Sequence, residues 1–385
     1  MHRGASVPDL GAGAPHTVSA YFRRQFELSR GGGAHNVRPM EGLRGFAVFL
    51  VFIVHYTTQV QPWISTASLR QFSQALHAIG NNGVDLFFVL SGYLIYGSLM
   101  ARPQPFPAFM ARRIRRIYPA FTVVFLAYVA LSFLMPGQGK LPAAAGPALG
   151  YLAANFLLLP GLFPIEPLIT VAWSLSYEMC YYLAIPLLVV VLRLTQRRVR
   201  WRVCFFGVVA VAGLLLAATV GGPVRLLMFV AGILLYEAQQ SGALNAISDA
   251  RSGAIGLLAL VLGMLAMLLP IPGPPGSAAK VAILSCAFFL LCQGCFRKAS
   301  LPLPGLFAWL PLRWLGNMSY SYYLLHGLAL KAAFMALAIV LPTSAGRDAL
   351  VFWGWLPVMF ALTLVPTTAL FLAIERPLSL TPRSP

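Results

Sequence analysis

Acidic residues are scarce in this chain: ten Asp and Glu stand against 28 Lys and Arg in 385 positions, a formal net charge of +18. Charge of either sign makes up only 10% of the sequence, where a soluble domain carries roughly 25%. A surface facing water on all sides is thereby excluded. Cysteine is thin as well. Cys180, Cys204, Cys286, Cys292 and Cys295 lie in or beside apolar segments, with neither zinc-like spacing nor a disulfide framework, and read as small packing residues. The ligand inventory suggests no metal. No Gly-x-Ser-x-Gly elbow occurs, which weighs against a serine hydrolase. Basic clusters interleaved with exposed aromatics, the pattern of a nucleic-acid groove, are missing too, so no nucleic-acid partner is expected.

What abounds is apolar sequence, 59% hydrophobic residues with a mean hydropathy of +0.77. Runs of about 17 to 25 apolar residues, the length that crosses a bilayer as helix, recur from Phe46 to Ile374. Spans are expected near 45–63, 84–100, 117–135, 173–192, 203–220, 224–240, 254–270, 281–296, 317–340 and 351–374. The first sits behind about forty residues of Gly, Arg and His, a poor match to a cleaved signal peptide, and reads as a permanent span.

A further stretch, 149–163, is shorter and bounded by Pro147, Pro160 and Pro164. Loop charge decides its status, because cytosolic loops carry the excess of Lys and Arg. Arginines before the first span put the N-terminus inside; Arg112, Arg113, Arg115 and Arg116 follow the second span, and Arg193, Arg197, Arg198, Arg200 and Arg202 form the next dense cluster. That cluster stays cytosolic only if 149–163 is re-entrant or interfacial, and Arg297, Lys298, Arg376 and Arg383 then fall inside as well. The expected fold is all-α: a polytopic membrane helical bundle of about ten transmembrane helices plus a short re-entrant or interfacial segment, both termini cytosolic. Residues 1–40 read as a disordered cytosolic tail, 41–377 as the transmembrane domain and 378–385 as a short cytosolic tail. The arginine clusters are expected to face anionic lipid and an anionic ligand.

Ionisable groups inside hydrocarbon are costly and mark function by default. Of six histidines, only His55 and His326 fall within the expected spans, while His77 is assigned to the first outer loop. Among the acids, Asp85 and Glu178 fall within spans, with Glu237 and Glu375 at cytosolic ends. Arg44 precedes His55 by close to three helical turns, a rise of about 16 Å. The two share a face, Arg44 at the cytosolic edge and His55 near the midplane. An imidazole there, with an ordinary pKa of about 6.5, can take a proton from a hydroxyl at neutral pH. Arg44 either meets an anionic donor or snorkels to lipid phosphate. His326 closes the run from Ser319 and should match the depth of His55. Glu178 is suited to orient an imidazole, bind a polar acceptor or pair with an arginine such as Arg225. Asp85, at the outer start of its span, reads as a helix cap, and Ser91–Gly92 as a close-packing pair. The forks of Arg112 to Arg116 match phosphate oxygens, and plain anchoring at the inner surface accounts for such a cluster equally well.

In order along the chain, Arg44-x10-His55, Gly83-Val-Asp-Leu-Phe-Phe-Val-Leu-Ser-Gly92, Arg112 to Pro119, Trp173-Ser-Leu-Ser-Tyr-Glu178, Gly316 to His326 and Glu375-Arg-Pro377 resemble the acyltransferase family 3 membrane proteins, bacterial enzymes that acylate surface sugars, lipids and antibiotics. The resemblance covers residues 41 to 377. It implies a bacterial inner-membrane O-acyltransferase that moves an acyl group, commonly acetyl, from cytosolic acyl-CoA to a hydroxyl of a carbohydrate, lipid or small molecule. It implies essential roles for Arg44 and His55, donor binding by Arg112, Arg113, Arg115 and Arg116, and importance for Glu178. Some relatives carry an extra soluble domain after the last span; here transfer is expected to finish in the membrane domain or in a separate partner. The rival reading is a transporter or flippase for a polar envelope precursor, since buried polar residues suit that as well. The paired broken helices in repeated halves that many transporters show are not visible in the sequence.

Overall fold

A backbone surrounded by hydrocarbon must satisfy its own N–H and C=O groups, and helices do so within one segment. The computed structural model is accordingly a helical bundle; it describes residues 34–380 apart from 136, 138, 243–246, 298–300 and 342–347, together with 23 and 25–27. Its helices are α1 Ala34–Gln59, α2 Ala67–Gly80, α3 Gly83–Ala101, α4 Phe106–Leu134, α5 Ala145–Phe156, α6 Trp173–Val191 and α7 Val199–Val220. There follow α8 Leu227–Ser241, α9 Asp249–Ala266, α10 Gly273–Cys295, α11 Pro302–Phe307, α12 Leu310–Asn317, α13 Ser319–Val340 and α14 Trp355–Leu370. The last continues at both ends into wider π-helical turns, Leu350–Gly354 and Phe371–Leu380.

Nine helical segments among the described residues are long and apolar enough to cross a membrane. The tenth expected span is α8, whose 15 residues rise about 22 Å and are preceded by the 3-10 turn Val224–Leu226. The 12 residues of α5 rise only about 18 Å, too little to cross, as the loop-charge argument for 149–163 requires.

Three boundaries differ from the sequence reading, each for a physical reason. The second span begins at Ala67, not near 84: α2 and α3 form one 35-residue segment interrupted at Asn81 and Asn82. Polar residues on one face of α2 hide it from a hydropathy window. A Cβ on Gly80 would meet the Leu50 carbonyl and one on Gly83 the Ala47 carbonyl, so the interruption lies halfway along α1, and His77 sits in a helix packed on α1. Second, α4 starts at Phe106, which puts Arg112 to Arg116 inside the helix. Third, α1 starts at Ala34, within the expected tail, and Phe26 is buried between the rings of Trp314 and Phe371 at 5.6 and 5.7 Å. Residues 1–22, 24, 28–33 and 381–385 of the two expected tails lie outside the described residues.

α1 is the axis of the bundle, with 72% of its span buried, whereas α7 has 11%. The apolar side chains of α7, among them Val208, Val211, Leu215 and Leu216, are exposed. They face outward because hydrocarbon solvates them as well as a core does, and helix association rests instead on close packing and polar contacts. Buried ion pairs supply such contacts: Arg202 clasps Glu237 at 2.6 and 2.8 Å, Arg313 meets Glu41 at 2.9 Å, and Arg116 meets Glu375 at 2.5 Å.

Candidate active site

The site is set by α1 and α13, which lie side by side and run in the same sense. Near their first ends, Arg44 Nη2 donates to Ser319 Oγ at 2.9 Å. Further along, the rings of His55 and His326 meet edge to face, 4.9 Å between centroids. The matching depth expected of the two histidines is therefore realised as direct contact. His326 is fully buried and stacked on Tyr322 at 5.2 Å, with its Nδ1 2.9 Å from the Tyr322 carbonyl oxygen. A carbonyl only accepts, so Nδ1 carries the proton and a neutral ring keeps its lone pair on Nε2. That Nε2 is buried with no hydrogen-bond partner among the described residues. His55 is half-buried and opens onto cavity space.

On the Arg44 side lies a cavity of about 150 Å³, lined by Arg44, Arg113, Arg116, Glu178 and Ser319 among others. The arginines there differ in what they already hold. Arg116 is committed to Glu375, whose second oxygen accepts from Ser321 N and Oγ at 2.9 and 2.5 Å. Arg113 makes no ion pair among the described residues. Its guanidinium lies over Phe109 and Tyr182, at 5.3 and 5.6 Å, and its Nε is buried without a hydrogen-bond partner. Arg112 and Arg115 are exposed; on a helix, residues three apart share a face, so 113 and 116 turn inward together while 112 and 115 turn about 100° away. Glu178 accepts from Ser91 Oγ at 3.2 Å and Tyr182 Oη at 2.5 Å. Arg225 pairs instead with Asp85, at 3.7 Å. An orphaned guanidinium donor in a cavity lined by two further arginines fits an anionic group such as a phosphate.

On the other side His55 lines two cavities. One, about 570 Å³, is also bordered by Gln59, Ser132, Lys140 and Lys331; the other, about 210 Å³, by Thr58, His77, Asn81 and Trp173. Tyr323 and Val84 line both the Arg44 cavity and the smaller His55 cavity. The Tyr323 hydroxyl is fixed by Ser174 Oγ at 2.6 Å and the Val171 carbonyl at 2.9 Å. Arg44 and His55 thus face separate spaces that share a wall.

Three residues escape a reading of the sequence alone. His77, whose Nδ1 lies 3.3 Å from Thr57 Oγ1, was hidden by the loop assignment; the unbroken run between Ala67 and Asn81, without Pro or Gly before Gly80, was the available signal. Lys331 stands midway along an apolar span, and a screen limited to histidines and acids passes over it. Tyr323 carries no sequence signal, since one tyrosine among 14 is unremarked until the cavities are seen.

The sequence profile of the acyltransferase domain matches residues 39–373. The chain is 30% identical over 330 residues to the exopolysaccharide production protein ExoZ of Rhizobium meliloti (strain 1021), covering 78% of this chain and 90% of that protein. It is 32% identical over 180 residues to the acyltransferase MdmB of Streptomyces mycarofaciens, covering 44% and 43%. Over 164 residues it is 34% identical to the O-acetyltransferase OatA of Staphylococcus aureus (strain NCTC 8325 / PS 47), covering 39% and 24%. The match thus spans less than half the length of the last two. No solved structure matches.

Proposed function

The chain belongs to the acyltransferase family 3, and we propose that it transfers an acyl group, acetyl first among them, from acyl-CoA on the Arg44 side to a hydroxyl presented on the His55 side. The acceptor is a carbohydrate, lipid or small molecule, and the cell envelope is where such acceptors are met. The observation that carries this reading is His55 itself, a half-buried imidazole in contact with His326 and bordering cavity space inside a helical bundle.

His55 acts as the general base. It takes the proton of the acceptor hydroxyl as the oxygen attacks the thioester carbonyl; the tetrahedral adduct then expels CoA, and the imidazolium returns the proton to the departing thiolate. One ester forms, one thioester breaks, and the proton ends on sulfur. Arg44, about 16 Å back along the helix, is too far to meet that carbonyl and serves the carrier end of the donor, as does Arg113 with its unused Nε. The cavity of about 150 Å³ that Arg44 and Arg113 line suits part of the carrier arm, and the thioester passes the wall at Tyr323 and Val84 to reach His55. His326 presses on the ring of His55 and orients it.

The test is labelled acyl-CoA with the purified full chain and an envelope extract as acceptor pool. Removal of a general base costs about 10²- to 10⁴-fold, so His55→Ala should lose transfer to that extent; undiminished transfer ends the proposal. A carrier that only moves envelope precursors would release no CoA in detergent, which separates the rival reading.

A further inference from the structure

Lys331 is the residue that the reaction above leaves unused. It lies midway along α13, one turn beyond Gly327, and the stripe Leu324, Leu328, Lys331 and Met335 faces the 570 Å³ cavity that His55 also borders. A lysine within a span is costly unless its charge is answered, so its counter-ion has to be found. Nine of the chain's ten acids are described, all but Asp9. Seven are held by other bases: Glu27 and Glu41 by Arg313, Asp85 by Arg225, Glu166 by Lys140, Glu237 by Arg202, Asp249 by Arg297 and Glu375 by Arg116. Glu178 is taken by Ser91 and Tyr182, and Asp348 by Ser65 and Thr66. None of the nine borders the cavity. Its second lysine, Lys140, is already tied to Glu166 at 3.1 Å and to the Pro167 carbonyl at 2.9 Å. Lys331 makes no hydrogen bond or ion pair among the described residues.

We propose that the acceptor itself supplies the missing charge: Lys331 binds an oxyanion, carboxylate or phosphate, carried by the acceptor whose hydroxyl meets His55. The residue is then a specificity determinant that selects acidic over neutral acceptors. The spacing fits. Lys331 stands about 7.5 Å along α13 from His326, whose ring touches that of His55, so the bound anion and the reacting hydroxyl are separated on the scale of a sugar residue. Gln59, Ser132 and Thr170, on other elements lining the same cavity, offer neutral hydrogen bonds for the remaining hydroxyls. With no acid on the lining, the cavity also draws anions in from solution.

This inference rests on the acyltransferase reading, and its test is built to fail separately from it. Equilibrium binding of p-nitrophenyl β-D-glucuronide and of the matched glucoside is measured on the full chain in phosphatidylcholine nanodiscs, for wild type, Lys331→Gln and Lys331→Arg, with acyl-CoA binding followed in the same discs. Wild type should bind the glucuronide at least about tenfold tighter than the glucoside, as one unscreened charge pair provides. Lys331→Gln should level the two, Lys331→Arg should keep the preference, and acyl-CoA binding should be unchanged in both, which also shows the variants folded. Equal or absent binding of both glycosides by wild type overturns the proposal, and so does a preference that survives Lys331→Gln. A preference that vanishes when phosphatidylglycerol is added to the discs, with Lys331→Gln then matching wild type, assigns Lys331 to lipid headgroups and overturns it as well. Loss of acyl transfer is not part of the readout, so a failure of the catalytic assignment would show only in the His55 experiment.

Discussion

At the scale of single residues, the helical turn count picks out His55 and Arg44 as candidates, because an ionisable group on an apolar helix face needs a reason. The same count, applied to Arg112–Arg116, identifies a basic mouth but not which guanidinium is uncommitted. That depends on Glu375, 259 residues away from Arg116, and on an orphaned Nε at Arg113. On the proposed mechanism His326 is a positioning residue: its Nδ1 is held by the Tyr322 carbonyl and its ring meets that of His55. Misplacing a reacting group by about 1 Å can cost about 10²-fold, so His326→Ala is expected to lower kcat by about that factor while acyl-CoA binding, measured calorimetrically, stays as in wild type; equal losses in both would mean a folding defect instead. Asp348 is a structural case outside the spans. Thr66 N–H at 2.5 Å and Ser65 N–H at 2.7 Å hold its carboxyl well below the usual carboxylate range. A group whose pKa is depressed on folding contributes stability in full above its unfolded value, about 3.9, and loses it as the pH falls toward the folded one. Asp348→Asn should therefore melt below wild type at pH 7, and the gap should close as the pH is lowered past 4; a gap constant down to pH 3 would refute the linkage.

At the scale of elements, most spans could be read from apolar length, and 149–163 from loop charge. What could not be read is the α2–α3 segment, since its first half is amphipathic and pairs its polar face with Thr57 and Thr58 of α1 and Gln61 just beyond it. Close packing between α3 and α8 is the other element-scale device. A Cβ on Gly92 would stand 2.2 Å from the Phe229 carbonyl oxygen, and one on Gly232 would stand 2.1 Å from that of Val89. Neither backbone can yield without separating the helices, which is the reason small residues occupy such crossings in membranes. Ser91–Gly92 thus divides its work: the glycine packs, and the serine reaches Glu178. Gly232→Val is expected to abolish recovery of monodisperse protein, while Gly207→Ala, which meets nothing within 4 Å, should purify like wild type. Equal yields would show that the crossing tolerates a wider spacing.

For the whole molecule, the hydropathy and the order of six short motifs gave the fold class and the family, because both are one-dimensional properties. The division of the interior into an Arg44 space and a His55 space, with Tyr323 and Val84 on the wall between, is three-dimensional and left no trace in the pattern. On the proposed mechanism, donor and acceptor approach a single imidazole from opposite ends of the bundle. Proteoliposomes with the protein in one orientation test this directly, with radiolabelled acetyl-CoA on the Arg44 face and envelope glycan on the His55 face. Labelled glycan is expected with wild type and none with His55→Gln. Label appearing only when both substrates share one face, or appearing undiminished with His55→Gln, would contradict it.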